Sequence, residues 1–588
     1  MFGPVFAREA FLAPRRPKTY VARSVYALAL LVLMSTAWLA LTGTQLVREL
    51  GDLARFGAAL FQVLAPLQLA LAVFFSALLA AGDVAHEKDR GTLELLLLSR
   101  LTNTELVLGK LAASLLRVLV PLAAALPVFL LTALFGGVSH GQIFQATIVT
   151  LVAILACGSI GSTIALWREK TFQSLALTVL ALVVWLAAGE AVAWGIFGAE
   201  WRGLPCYRLA AFFSPWQAVL ETTRHELEGL SGLGPLGQPT NGFLLFALAL
   251  TCVLNGIAIL RVRAWNTTRE AAPTRALPEE AELSEASSIA GVSSPSIARS
   301  RRVWDNPIIW REIRTWAYGR RIIAVRVAYW LLFAVVLLGL YAAEAAGAPV
   351  VQERAKWLLT PLTLLSLVLV NAQAVTAITS ERDARALDLL LVTDLTPKEI
   401  IFGKLGGIFY NTKEMVLLPM GLGIWLWARG AIGMENLLYL LGALAVLSLF
   451  AAMLGLHVGM TFSNSGVAVA TSLGTVFFLF VGVAVCMRIM IAFSGSFSAQ
   501  FLPFFAFMVF GGVGLYGVLG LRNPSTAIGM ASLLCPFATF YALTSYLLMA
   551  PLAAFLVTAG AYGFATAAML VPAIYEFDVA TGRTTAEE

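Results

Sequence analysis

Residues 87–111 and 381–405 are two copies of one segment: at a constant offset of 294 they match at 12 of 25 positions. Leucines would match through composition alone. The pairs Glu87/Glu381, Asp89/Asp383, Thr102/Thr396, Glu105/Glu399, Gly109/Gly403 and Lys110/Lys404 would not. A second set, Pro4, Arg8, Glu9, Arg23 and Tyr26, returns at an offset of 303 as Pro307, Arg311, Glu312, Arg326 and Tyr329. The chain is therefore a tandem duplication, 1–263 and 301–588, and each half carries one charged loop between hydrophobic spans.

Those spans set the fold class. The chain has 588 residues, of which 59% are hydrophobic and 13% charged, with a mean hydropathy of +0.83. Soluble domains lie far from these values. Apolar runs of about 20 residues, the length that crosses a bilayer, recur throughout. The first half reads as six spans near 25–43, 61–82, 111–135, 144–166, 173–198 and 241–262. The second repeats them near 327–343, 357–379, 405–428, 436–461, 466–493 and 552–574. The expected fold is an all-α polytopic membrane protein of two parallel six-helix repeats. It has twelve crossings, or fourteen if the extra apolar stretches 501–521 and 526–549 also cross. Those stretches also fit a re-entrant hairpin, and Ser214-Pro215-Trp216 against Cys535-Pro536-Phe537 favours a short re-entrant element in both halves. The basic N-terminus is not a cleavable signal, because it is copied mid-chain and its apolar run is long enough to span. The five cysteines form no CxxC pair, and no metal site is visible.

Lys and Arg set the orientation. Segments 1–24, 83–110, 167–172, 261–326, 381–404 and 575–588 fall on one side and hold 28 of the 40 basic residues. That side is read as the cytoplasm, with both termini on it, in a bacterial inner membrane. The positive charge therefore belongs to membrane topology and not to nucleic acid. Residues 264–300, rich in Ala, Ser, Pro and Glu, read as a flexible linker.

The duplicated loops, 83–110 and 380–404, have legible local geometry. Thr102 with Glu105, and Thr396 with Glu399, are capping boxes, and Pro397 suits the first helical position. Helices are thus predicted to start at about 103 and 397 and to run into the third span. Upstream, Leu93, Leu96 and Leu97 share one helical face, as do Leu387, Leu390 and Leu391. Glu87, Lys88, Asp89 and Arg90 precede the first set; Glu381, Arg382 and Asp383 precede the second. The expected picture is a short helix on the membrane surface, followed by a sharp turn, with the charged groups at its start facing a soluble partner.

The pattern Glu87-Lys-x-x-Gly91-Thr92-Leu93-Glu94 followed by Thr102-x-x-Glu105 and Gly109-Lys110 resembles the membrane subunit of type-2 ATP-binding-cassette exporters. The resemblance implies that each loop holds a coupling helix that docks on an ATPase subunit. It also implies six spans per half, and a basic amphipathic helix before the first span, which Phe6–Arg23 and Ile309–Arg326 fit. The second copy departs from the pattern: Arg385 stands for Gly91, Ala386 for Thr92 and Asp388 for Glu94. Two loops imply two ATPase copies per chain. The chain itself lacks the GxxxxGK[ST] phosphate loop, since Leu follows both Gly109-Lys110 and Gly403-Lys404. It is thus expected not to be an enzyme. It would hold no cofactor, and ATP and magnesium would sit on the partner subunit.

Two other classes were weighed. A secondary transporter of two parallel six-span halves, as in the major facilitator family, usually shows Gly and then Asp-Arg-x-Gly-Arg a few residues on. Here Gly82 stands seven residues before Asp89, and leucines follow Gly91. An intramembrane enzyme would need a base, and His86, His140, His225 and His457 form no HExxH. Ionisable groups in spans are functional candidates. Glu190 and Arg488 sit at similar depth in the two fifth spans, where they would pair across the pseudo-twofold axis, line a path, or snorkel at the outer interface. Lys413 and Glu414 lie in the third span of the second half, and Asn371 and Gln373 are placed to bond between helices. Nothing in the loops selects among lipid, drug, peptide and polysaccharide as cargo.

Overall fold

The computed structural model describes residues 3–12, 17–44, 50–194, 200–201, 204–223, 238–266, 304, 306–314, 322–344, 348–492, 497–520, 524–575 and 577. Of the linker read as 264–300, residues 264 and 265 close the helix Pro239–Trp265, and 267–300 lie outside the described residues. In the first half the helices are α1 (Gly3–Leu12), α2 (Pro17–Thr44), α3 (Leu50–Asp89), α4 (Thr92–Leu98), α5 (Asn103–Leu134), α6 (His140–Trp167), α7 (Thr171–Ala193), α8 (Cys206–Ala211), α9 (Pro215–Thr223) and α10 (Pro239–Trp265). In the second half they are α11 (Pro307–Arg314), α12 (Ile322–Glu344), α13 (Ala348–Asp383), α14 (Ala386–Leu391), α15 (Pro397–Asn411), α16 (Lys413–Ala428) and α17 (Met434–Thr461). Then come α18 (Ser465–Phe477), a π-helical turn (Phe478–Gly482), α19 (Val483–Ala492), α20 (Phe497–Leu519), α21 (Thr526–Leu547) and α22 (Pro551–Tyr575).

The chain is an all-α polytopic membrane protein. Among the described residues, 11 helices are long and apolar enough to cross a membrane, and Arg23–Leu39 and Phe504–Leu519 are shorter apolar helices. The third span of the second half completes the set. It is not the continuous helix expected over 405–428 but breaks at Thr412, whose backbone leaves the helical region (φ −108°, ψ 16°). The Asn411 side chain donates to Gly407 O at 2.9 Å, and Thr412 Oγ1 donates to Ile408 O at 2.9 Å. Such back-bonding competes with the helical ladder. Arg326 lies 3.4 Å from Glu414 beside the break.

Residues 501–549 form two long apolar helices, α20 and α21, and not a short hairpin. His457, one turn from the end of α17, has its Nε2 2.8 Å from the carbonyl of Leu519 at the end of α20. The 23 residues of α20 rise about 34 Å at 1.5 Å each, a full bilayer core. Its first residue is therefore at the opposite end of the bundle, and α21 returns there. The short re-entrant element expected in both halves is found in the first alone. There α8 and α9, six and nine residues long, tuck among α3, α6, α7 and α10, and Pro215 begins α9. Pro536 lies inside the spanning helix α21.

Within each half the second and fourth spans pack most closely: α3 on α6, and α13 on α17. A Cβ at Gly161 would fall 2.3 Å from Ala77 O, and one at Gly455 would fall 2.6 Å from Ala374 Cβ. These glycines are related by the offset of 294, so the same close approach was duplicated with the chain. Asn371 adds a polar tie, donating to Ala451 O at 2.9 Å and accepting from Ser472 Oγ at 2.8 Å. Gln373 is fully buried and makes no side-chain hydrogen bond among the described residues. Between the halves, α12 and α13 pack on α7, and α3 packs on α18 and α19. The extra helix α20 packs on α2.

Candidate functional site

The duplicated segments fold alike. In the first, α3 ends at Asp89, the chain turns through Gly91 (φ 70°, ψ 3°), and α4 follows. In the second, α13 ends at Asp383 and turns through Arg385 (φ 55°, ψ 16°) into α14. Both capping boxes form as the sequence predicts. Glu105 N donates to Thr102 Oγ1 at 3.3 Å, and Thr102 N to Glu105 Oε2 at 3.0 Å. For Thr396 and Glu399 the distances are 3.3 and 2.8 Å. The Thr396 N–H and then its hydroxyl hold the Glu399 carboxyl below its usual range. Helices begin at Asn103 and Pro397.

The left-handed turn explains Gly91. An L side chain in that conformation costs about 1–2 kcal/mol; glycine avoids the cost and Arg385 bears it. A Cβ at Gly91 would meet nothing within 4 Å, so Gly91→Ala isolates the backbone effect. It is expected to speed amide hydrogen exchange across residues 92–98 severalfold, with no change at 386–391. Unchanged exchange at 92–98 would contradict this account of the turn.

The charged residues ahead of each short helix turn inward, contrary to the expectation that they face a partner. Glu87 pairs with Lys110. Lys88 Nζ donates to Leu166 O at 2.6 Å and Arg168 O at 2.8 Å, capping the end of α6. Asp89 accepts from Thr171 Oγ1 at 2.5 Å. The second half repeats each brace. Glu381 lies 2.5 Å from Lys404 Nζ, Arg382 Nη1 donates to Gly459 O at 2.9 Å, and Asp383 accepts from Ser465 Oγ at 2.5 Å. A cation at a helix C-terminus is favoured by the backbone dipole. Thr171 and Ser465, the first residues of the two fifth spans, are also related by 294. No local motif marks them, and sequence reading missed both. In the second half Glu312 also lies 2.7 Å from Lys404 Nζ, and Arg311 meets Glu381 as well as Glu312. Gly403 makes room for this helix, since a Cβ there would fall 2.8 Å from Ile308 Cβ. Gly109 is buried at the related place.

Each short helix also presents an apolar pair outward, among polar neighbours. Leu93 and Leu97, and in the second copy Leu390, are buried against the bundle; Leu96, Leu387 and Leu391 are half-buried. Leu95 (67%) and Leu98 (74%) are exposed, and so are their equivalents Leu389 (74%) and Val392 (83%). Arg90, Thr92 and Glu94 are exposed beside the first pair, and Asp388 beside the second.

Glu190 and Arg488 are not brought together. Glu190 accepts from Gln217 Nε2 of its own half at 2.8 Å, and Arg488 is exposed. Both lie within about one turn of the end of their span, where long side chains reach the interface.

A cavity of about 270 Å³ lies between the halves. Val73 and Phe74 of α3, Leu182 of α7, Trp216 of α9, Val368 of α13 and Phe477 of α18 are among its walls. The second and fifth spans of both halves thus meet around one apolar space. Its lining is as apolar as every other span, so no pattern in the sequence marks it. Among the described residues no cluster of His, Cys, Asp and Glu could hold a metal ion. Comparison with protein-family models, with curated proteins and with solved structures gives no match.

Proposed function

We propose that this chain is the membrane-spanning permease of an ATP-binding-cassette exporter, driven by two copies of a separate ATPase that dock on residues 83–110 and 380–404. The observation that carries this reading is the pair of braced loops. Each ends in an outward apolar pair, Leu95/Leu98 or Leu389/Val392, at related positions. An idle surface loop has no need of an ion pair to an inward lysine, a capped helix C-terminus and an aspartate–hydroxyl bond beneath it, still less of two copies. Exposed leucines on a rigid, membrane-proximal helix suit insertion into a groove of a soluble subunit. In this reading the loops and both termini are cytoplasmic, in a bacterial inner membrane.

The apolar cavity then serves as the substrate space. Its lining favours a hydrophobic molecule or acyl chain over peptide or polysaccharide, whose backbone polar groups would find no partners there. The chain contributes no hydrolysis; ATP and magnesium belong to the ATPase. Reconstitution tests this. Liposomes holding the chain and its ATPase are expected to move a hydrophobic fluorescent probe only with ATP. Transport by the chain alone, driven by a proton or sodium gradient, would overturn the reading in favour of a secondary transporter.

A further inference from the structure

The two halves are not equally joined at the loop end. Asp383 of the second half receives two first-half side chains: His86 Nδ1 at 2.8 Å and Arg90 Nη2 at 3.4 Å. Its side chain is only 2% exposed, and Ser465 completes its shell. The related aspartate, Asp89, accepts from Thr171 of its own half and, among the described residues, receives no second-half side chain. The residues 294 positions after His86 and Arg90 are Ser380 and Ala384, and Ser380 Oγ donates to Thr376 O of its own helix at 2.6 Å. One seam therefore carries a charged tie across the axis, and the related seam lacks its counterpart.

This tie lies on the same two helices that wall the cavity. His86 is 12 residues beyond Phe74 on α3, and Asp383 is 15 beyond Val368 on α13, which places it about 18–22 Å toward the loop end. Between tie and cavity, Leu78, Ala81 and Val84 of α3 and Ala374, Ala377 and Ile378 of α13 belong to one continuous apolar core that draws on both halves, and α3 touches α13. Small apolar residues pack closely but slide at modest cost. A desolvated carboxylate held by an imidazole and a guanidinium does not, because parting leaves the charge unpaired.

We propose that His86, Arg90 and Asp383 form an inter-half latch that keeps the cavity shut toward the loop end, so that loading requires this one seam to part. The proposal rests on the permease reading for the direction it assigns to loading, but the latch itself is tested without an ATPase. The full chain, with its five cysteines replaced by alanine and Val73→Cys introduced, is labelled in inside-out vesicles with a membrane-impermeant maleimide. The double variant His86→Ala, Arg90→Ala is expected to raise the labelling rate at least about 10-fold, the effect of losing hydrogen bonds to a charged group. The conservative pair His86→Gln, Arg90→Lys, which keeps a donor and a cation beside Asp383, is expected to stay within about twofold of the parent. Ser380→Ala, at the place related to His86, leaves the rate unchanged. An unaltered rate in the double alanine variant, an equal rise in Ser380→Ala, or a conservative pair as fast as the double alanine variant would each overturn the latch. None of these outcomes bears on whether an ATPase binds, so the two readings fail separately.

Discussion

Lys404→Ala is expected to destabilise the second half by about 3–5 kcal/mol, the usual effect of removing one partner from a buried ion pair. Lys404 and Glu312 are each 1% exposed, Glu381 is 16% exposed, and both carboxylates converge on the one ammonium. Without it two carboxylates face each other in an apolar setting, with Arg311 beside them. Lys110→Ala is expected to do less, because Glu87 is 30% exposed and water can reach it. The unfolding midpoint of the detergent-purified protein separates the two. Lys404→Met combined with Glu312→Gln and Glu381→Gln is expected to recover most of the loss, since no buried charge is then stranded and Arg311, 35% exposed, can turn to water. A midpoint for Lys404→Ala equal to the parent's would show that the network contributes nothing.

The second large effect concerns the loop tips. Leu95→Asp with Leu98→Asp, and Leu389→Asp with Val392→Asp, leave the buried face of each short helix intact, because these four side chains already face outward. Membrane insertion and the unfolding midpoint are therefore expected to hold. Docking is expected to fail. Burying one such side chain contributes about 1.5–3 kcal/mol, so losing two per loop weakens ATPase binding at least about 100-fold. The first copy turns through an unstrained Gly91 and the second through Arg385 in the left-handed region. Changes in the first copy are therefore expected to harm recruitment more. Binding that survives all four substitutions would move the docking surface elsewhere.

How much of this was legible in the sequence divides along one line. Features that are local and duplicated could be read. The capping boxes at Thr102 and Thr396 and the buried leucine face follow from spacing and appear twice, and the proline at the start of α15 suits its one position. Features that depend on which helices meet could not. Thr171 and Ser465 are an inconspicuous hydroxyl pair far from the loop, so nothing nearby announces that they hold Asp89 and Asp383. The inward turn of Glu87, Lys88 and Asp89 was misjudged because charge near a membrane surface suggests water, whereas here the helix ends and buried lysines supply the partners. The break at Thr412 hides in an apolar run whose first-half counterpart, around Val118, continues as a helix. The latch was invisible for the opposite reason. His86 and Arg90 differ from Ser380 and Ala384, so comparing the copies discards them as noise, although both reach Asp383 across the halves.

The claim that these loops receive an ATPase is tested most directly by native mass spectrometry of the complex purified through this chain, from cells that also produce its ATPase. The expected result is one chain with two ATPase copies for the parent, and bare chain when Leu95, Leu98, Leu389 and Val392 are all aspartate. A parent chain that flies without any ATPase, or a quadruple variant that still carries two, would contradict it.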